Sequence, residues 1–132
     1  MKTNFDILAT SVTYFLIGLG LFFAPDVLLK AANQEPSLFM LWLAQVLGAA
    51  MLGMGWMNYL NKTSPIGGIY GRPLLLQNLM FAFPSFIFSF KSWQANPDQI
   101  IFLYAAVVFG LIGVAIMLRF LGKGPVPASP KA

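Results

Sequence analysis

Four side chains able to recognise another molecule stand on either side of one short loop: Asn58, Arg72, Gln77 and Asn78. Each amide both donates and accepts hydrogen bonds, and the guanidinium offers a rigid fork of donors and accepts nothing. Together they suit the phosphate of a lipid headgroup, the carbonyl of a quinone or the backbone of a partner subunit. Gln45 lies toward the opposite end of the preceding apolar run, where it can meet Ser85 or Ser89. The plainer alternative is that these groups bond helix to helix, at about 0.6 kcal/mol per contact.

What the chain lacks narrows the chemistry further. It has neither histidine nor cysteine. That removes the usual axial ligand of haem, the commonest zinc ligand, the commonest general base at neutral pH and every thiolate or disulfide. The acids Asp6, Asp26, Glu35 and Asp98 all fall at predicted helix ends or in loops. A proton-coupled carrier or a membrane enzyme usually holds an ionisable group at depth. Here only amides, hydroxyls and backbone are expected there. Arg72 with Tyr59 or Tyr70 is the residual pair for acid–base work. The expectation is a protein that is not an enzyme and that holds no metal and no cofactor.

Such residues must be positioned by helices in a membrane. Of the 132 residues, 58% are hydrophobic and 9% charged, against roughly 25% charged in soluble proteins. So few charges cannot cover a surface facing water. Four apolar runs, at about 7–24, 38–60, 73–90 and 99–121, approach or exceed the roughly 20 residues that span a bilayer. They predict one all-α domain over residues 1–121, an integral membrane four-helix bundle with short connections. A short basic, Pro-rich tail follows at 122–132. The first run follows Lys2 in the manner of a signal peptide. It is longer than the roughly 7 to 15 apolar residues of such a signal, so it is expected to be a span. The net charge of +4 comes with no basic stripe of interleaved aromatics, so nucleic acid is not an expected partner.

Within the spans, small and polar residues recur at helical spacing. Thr10, Tyr14 and Gly18 are four apart in the first span and share a face. In the second, Ala44, Gly48, Gly55 and Asn58 fall in one arc with Gln45 at its edge. In the third, Asn78, Ala82, Ser85 and Ser89 lie on one side, with Gln77, Pro84 and Phe88 on the next. In the fourth, Ala106, Gly110 and Gly113 make another small-residue stripe. Small residues let backbones approach closely, which matters because lipid gives apolar helices no hydrophobic reason to associate. Pro84 leaves the carbonyl of Met80 without its usual partner, and a kink is expected there. Trp42 and the Trp56–Tyr59 pair sit near the two ends of the second span, as an aromatic belt requires.

The connections carry the topology. The first is mixed in charge and runs to Ser37, with a short interfacial turn expected at Val27 to Leu29, Asn4 or Asp6 expected to cap the first helix and Pro36–Ser37 to open the second. The loop from Asn61 to Arg72 is rich in Gly and Pro. Its glycine amides with Lys62 and Arg72 suit a phosphate or carboxylate, but the glycine pattern matches no phosphate-loop motif and an ordinary cytoplasmic turn is the plainer reading. The third loop is expected at Lys91–Asp98. Lys2, Lys62, Arg72, Arg119, Lys123 and Lys131 fall on one side, and Lys30 and Lys91 on the other. That bias places both termini in the cytoplasm.

The segments GLFFAP, WLAQVLGAAMLGMGW and GRPLLLQNL resemble the small bacterial four-helix proteins of the DoxX-like kind and their uncharacterised relatives. The resemblance covers roughly Ile7 to Leu121 and rests on glycine spacings. It implies a four-span bundle in a bacterial inner membrane and carries no activity and no site residue. Eukaryotic sterol-isomerase-like four-span proteins match less well, because their sites use acids and histidine inside the bundle. The expected function is that of an accessory or structural subunit, whose partners are membrane lipids and other membrane-protein subunits or further copies of itself. The alternative is a binding or transport module for a lipid, quinone or other apolar small molecule, using Gln45, Asn58, Arg72, Gln77 and Asn78.

Overall fold

A computed structural model describes residues 3–64 and 71–122. The described chain is helical, in the order α1 (Phe5–Phe23), α2 (Pro25–Ala31), α3 (Leu38–Leu60), α4 (Gly71–Ala95) and α5 (Ile100–Phe120). Four of these, all but α2, are long and apolar enough to cross a membrane. The middle of the Gly-Pro loop, residues 65–70, and the tail from 123 onward lie outside the described residues, and with them the anion-holding reading of that loop. The chain divides into two units, Leu8–Leu60 on one hand and Met1–Ile7 with Asn61–Ala132 on the other.

In the Leu8–Leu60 unit, the buried positions of α1 include Thr10, Ser11, Tyr14 and Gly18, and those of α3 are Gly48, Met51, Gly55 and Asn58. Both sets follow the three-and-four spacing of one helical face. The faces meet at glycine. A methyl group built on Gly48 would stand 2.7 Å from the backbone nitrogen of Phe22 and 2.9 Å from the carbonyl oxygen of Gly18. One built on Gly18 would stand 3.0 Å from the carbonyl oxygen of Gly48. The two backbones touch because neither residue has a side chain. Farther along the same pair of helices, the Ser11 hydroxyl donates to the buried carbonyl of Gly55 at 2.7 Å. Phe15 meets Trp56 edge-on.

One feature of this unit goes beyond the sequence expectation. The connection after α1 contains a helix of its own. Pro25 occupies its first turn, Asp26 and Lys30 sit at the ends that suit their charges, and Asn33 closes it with a φ of 54°. The amide of Gln34 reaches the carbonyl of Leu29, and that of Asn33 the carbonyl of Lys30. This is a Schellman closure with asparagine in the left-handed position. Seven residues carry too little periodicity to be read as a helix in advance. The start of α3 follows expectation, with the Ser37 hydroxyl accepting from the amide of Met40 at 3.2 Å.

In the other unit α4 and α5 pack side by side. Phe86 lies over Gly110, whose missing methyl would sit 3.2 Å from the ring. Phe81 meets Phe109 edge-on at 5.6 Å. The small-residue stripe of α5 therefore receives the phenylalanines of α4. Helix α4 runs unbroken through Pro84 and on to Ala95, so the expected loop at 91–98 shrinks to a turn around Asn96–Gln99. Lys91 marks where hydropathy falls, not where the helix stops. Residues 91–95 are compatible with helix, and Phe90 and Trp93 stay in ring contact at 5.8 Å.

The glycine crossing yields a paired prediction. Gly48→Ala will destabilise the protein by about 1–3 kcal/mol, the cost of overpacking. Gly53→Ala, where nothing lies within 4 Å, will be neutral or stabilising by up to about 1 kcal/mol. Thermal unfolding in detergent, followed by circular dichroism, checks the order. Equal melting of the two variants would refute the crossing.

Candidate functional site

The polar side chains inside the structure are few enough to follow one by one. Asn4, Thr10, Ser11, Asn58, Asn78 and Arg119 are buried. In the unit containing α4 and α5, the first turn of α1 is held from two directions. The backbone amide of Asn4 donates to the carbonyl of Lys62 at 2.7 Å, and its side-chain amide donates to the carbonyl of Ser64 at 3.1 Å. Two residues on, the carboxylate of Asp6 forms an ion pair with Nε of Arg119, in the last turn of α5. The start of α1, the end of α5 and the 61–64 turn thus meet at one place.

The sequence expectation assigned Asn4 and Asp6 to capping and counted Arg119 among the flanking cations. The structure uses them differently. The Arg119 side chain is only 3% exposed and that of Asp6 18%. An arginine in this position cannot lose its proton, so burying it requires a counter-charge, and Asp6 supplies one. Signals for both were present. Arg119 falls inside the predicted fourth span, and Asp6 stands four residues before Thr10 on the Thr10–Tyr14–Gly18 face. Ser11 was also missed, because a hydroxyl beside Thr10 in an apolar run gives no sign of the carbonyl it will reach.

The residues singled out for ligand binding fall into different environments. On α4, Asn78 is fully buried and its side-chain amide donates to the carbonyl of Leu74, one turn back, at 2.9 Å. Gln77 is half-buried, and Arg72 is exposed. Arg72 and Asn78 share a helix but not a face: one turns outward and the other in. In the other unit Asn58 is fully buried. Gln45 is exposed on α3, and its amide donates at 3.4 Å to the carbonyl of Phe22. Beside Gly48 that bond strengthens the α1–α3 crossing.

Two apolar hollows complete the picture of α4 and α5. One of about 480 Å³ runs between them and is lined by Phe83, Phe86, Phe90, Leu103 and Val107 among others. A second, of about 440 Å³, lies beside Leu79, Met80, Pro84 and Ile87, with Met117 at its edge. Phe83 borders both. Among the described residues no group of three or more acids stands ready to hold a metal ion.

Comparison of the chain with protein-family models, with characterised proteins and with solved structures finds no match.

The buried ion pair gives a prediction for stability. Asp6→Asn or Arg119→Gln alone leaves one charge without its partner and will cost about 3 kcal/mol, at the low end for buried pairs because Asp6 retains some contact with solvent. The double substitution will cost clearly less than the sum of the two. Unfolding free energies of the four proteins in a double-mutant cycle check this, and strict additivity would show that the pair carries no coupling.

Proposed function

We propose that this chain is a four-span integral membrane protein that acts without catalysis, as a small accessory or structural subunit. On this reading it packs against other membrane-protein subunits, or copies of itself, and against lipid in a bacterial inner membrane. The observation that carries the reading is the outer surface. In each of the four long apolar helices, only 22–28% of an apolar 18-residue stretch is buried. Large hydrophobic side chains such as Leu16, Phe39, Met80, Phe88 and Leu111 each stand more than 60% exposed. Such a surface is stable only against hydrocarbon or another protein. The buried polar groups support the same reading, since Ser11, Asn4, Asp6, Arg119 and Asn78 are engaged within the protein.

A second reading, a binding or transport module for a lipid, quinone or other apolar small molecule, draws on the hollow of about 480 Å³ between α4 and α5. Its lining is apolar, which suits a tail and not a headgroup. The polar residues proposed for that module are Asn58, Arg72, Gln77, Asn78 and Gln45.

Purification in a gentle detergent followed by native mass spectrometry tests the leading reading. Membrane subunits retained at fixed stoichiometry, or a defined homo-oligomer, are the expected result. A lone chain carrying one discrete apolar ligand would favour the binding module instead.

Both termini are proposed to be cytoplasmic. The chain has no native cysteine, so single cysteines report orientation cleanly. One at Asn96, exposed in the α4–α5 turn, will react with an impermeant thiol reagent in intact cells. One at Ser129 will be protected. The opposite pattern would reverse the orientation.

A further inference from the structure

The outward side of α4 joins a cation to an apolar hollow. Arg72 is the second residue of the helix and is exposed. At 100° per residue, Leu76, Leu79, Phe83 and Ile87 follow it on the same side. That side faces away from the protein, with Leu76 51%, Phe83 46% and Ile87 41% exposed. The hollow of about 440 Å³ begins at Leu79 and continues past Ile87, and every residue lining it is apolar. Arg119 is already committed to Asp6, which leaves Arg72 as the arginine on the outer surface of α4 and α5.

Dimensions match this arrangement to one kind of molecule. Leu79 lies seven residues beyond Arg72, or roughly 10 Å along the helix, and Ile87 fifteen residues or roughly 22 Å. Half of the hydrocarbon core is roughly 15 Å thick. An arginine at the boundary extends its guanidinium to the level of the lipid phosphates while its stem stays with the acyl chains. The near end of the hollow, at Leu79 and Met80, then lies within the leaflet whose acyl chains run below Arg72, and Ile87 lies past the bilayer midplane.

We propose that the outward side of α4 binds one anionic phospholipid, with its phosphate on Arg72 and an acyl chain in the hollow beside Leu79, Met80, Phe83, Pro84, Ile87 and Met117. The permanent charge of the guanidinium selects an anion over the neutral carbonyl of a quinone, and its planar fork matches phosphate oxygens in pairs. A helix from a partner protein would need a cation-tolerant end and a long apolar face in one register. A lipid supplies an anion and a flexible chain in one molecule. The proposal rests on the membrane reading given above and adds the chemical class that this surface takes.

The test uses the full chain in detergent, stripped of lipid. It is titrated with dioleoyl phosphatidylglycerol or with dioleoyl phosphatidylcholine, which carries the same chains and no net charge. Native mass spectrometry counts the adducts. The first phosphatidylglycerol will bind roughly fivefold tighter, the ratio given by about 1 kcal/mol for one arginine near an anionic headgroup. Arg72→Gln will abolish the preference. Met80→Trp, which fills the near end of the hollow at an exposed position, will weaken the first adduct of both lipids, and Lys30→Gln will change nothing. Equal binding of the two lipids by the unaltered chain, a preference that survives Arg72→Gln, or no effect of Met80→Trp would each overturn the proposal. Resistance of the chain to alkaline extraction from membranes separates the two levels. A chain released into solution removes the membrane reading and the lipid site together, whereas a retained chain with no lipid preference removes the site alone.

Discussion

Helices surrounded by hydrocarbon gain little by hiding leucine from lipid, because lipid is as apolar as leucine. Whatever holds such helices together must come from close backbone approach and from the few polar groups that hydrocarbon cannot satisfy. The contact of Gly18 with Gly48 is the first kind of interaction in its simplest form. With 2.7–3.0 Å left for a methyl group, no residue other than glycine fits at either position without displacing backbone. The approach is also what allows the neighbouring polar contacts. Ser11 reaches the carbonyl of Gly55, and Gln45 that of Phe22, only because the helix axes lie close. Dispersion forces, which fall off steeply with separation, then accumulate along the whole seam.

The Asp6–Arg119 pair works by a different logic. Removing two charges from water costs several kcal/mol for each, and their attraction returns that only when the geometry is good. A buried pair is therefore poor at adding net stability and costly to break. Any arrangement that separates the last turn of α5 from the first turn of α1 leaves a charge unmatched in a low dielectric, which is worse than losing an apolar contact. The two hydrogen bonds from Asn4 to the 61–64 turn act at the same place and in the same sense. Polar contacts thus tie the start of α1 to the end of α5 and the 61–64 turn, and in the other unit glycine sets the approach of α1 to α3.

The parts of the structure that followed from the sequence are those governed by repeating pattern. Four long apolar runs became four long helices. The face marked by Thr10, Tyr14 and Gly18 is buried, and of the other two expected faces Gly48, Gly55, Asn58, Asn78 and Ala82 are buried while Ala44, Ser85 and Ser89 are half-buried. What escaped is governed by single contacts. Helix α2 is too short for periodicity and depends on Pro25 at one end and Asn33 at the other. The extension of α4 past Phe90 is invisible to hydropathy, because Lys91 ends the apolar run and not the helix. The ion pair joins residues more than a hundred positions apart, and charge alone made Arg119 look like a flank. The candidate site was legible as residue types and not as a constellation. Asn78 and Asn58 are buried, while Gln45 and Arg72 turned outward and Gln77 is half-buried.

That outward turn bears on how an accessory role and a lipid contact relate. A subunit that presents bare leucine and phenylalanine can be covered by lipid or by protein with little difference in free energy, so its surface specifies no partner by hydrophobicity. Specificity has to come from shape and charge. On α4 and α5 shape is supplied by the hollows flanking Phe83, and charge by Arg72 at one end of the same side. The remainder of the exposed surface, on α1 and α3, has aromatic residues such as Phe39, Trp42 and Trp56 at its ends. That arrangement suits an interfacial belt and leaves the middle of those helices for apolar contact. On the lipid proposal, one side of α4 supplies both shape and charge, with the charge of Arg72 at one end and the apolar hollow beside Leu79 and Met80 farther along.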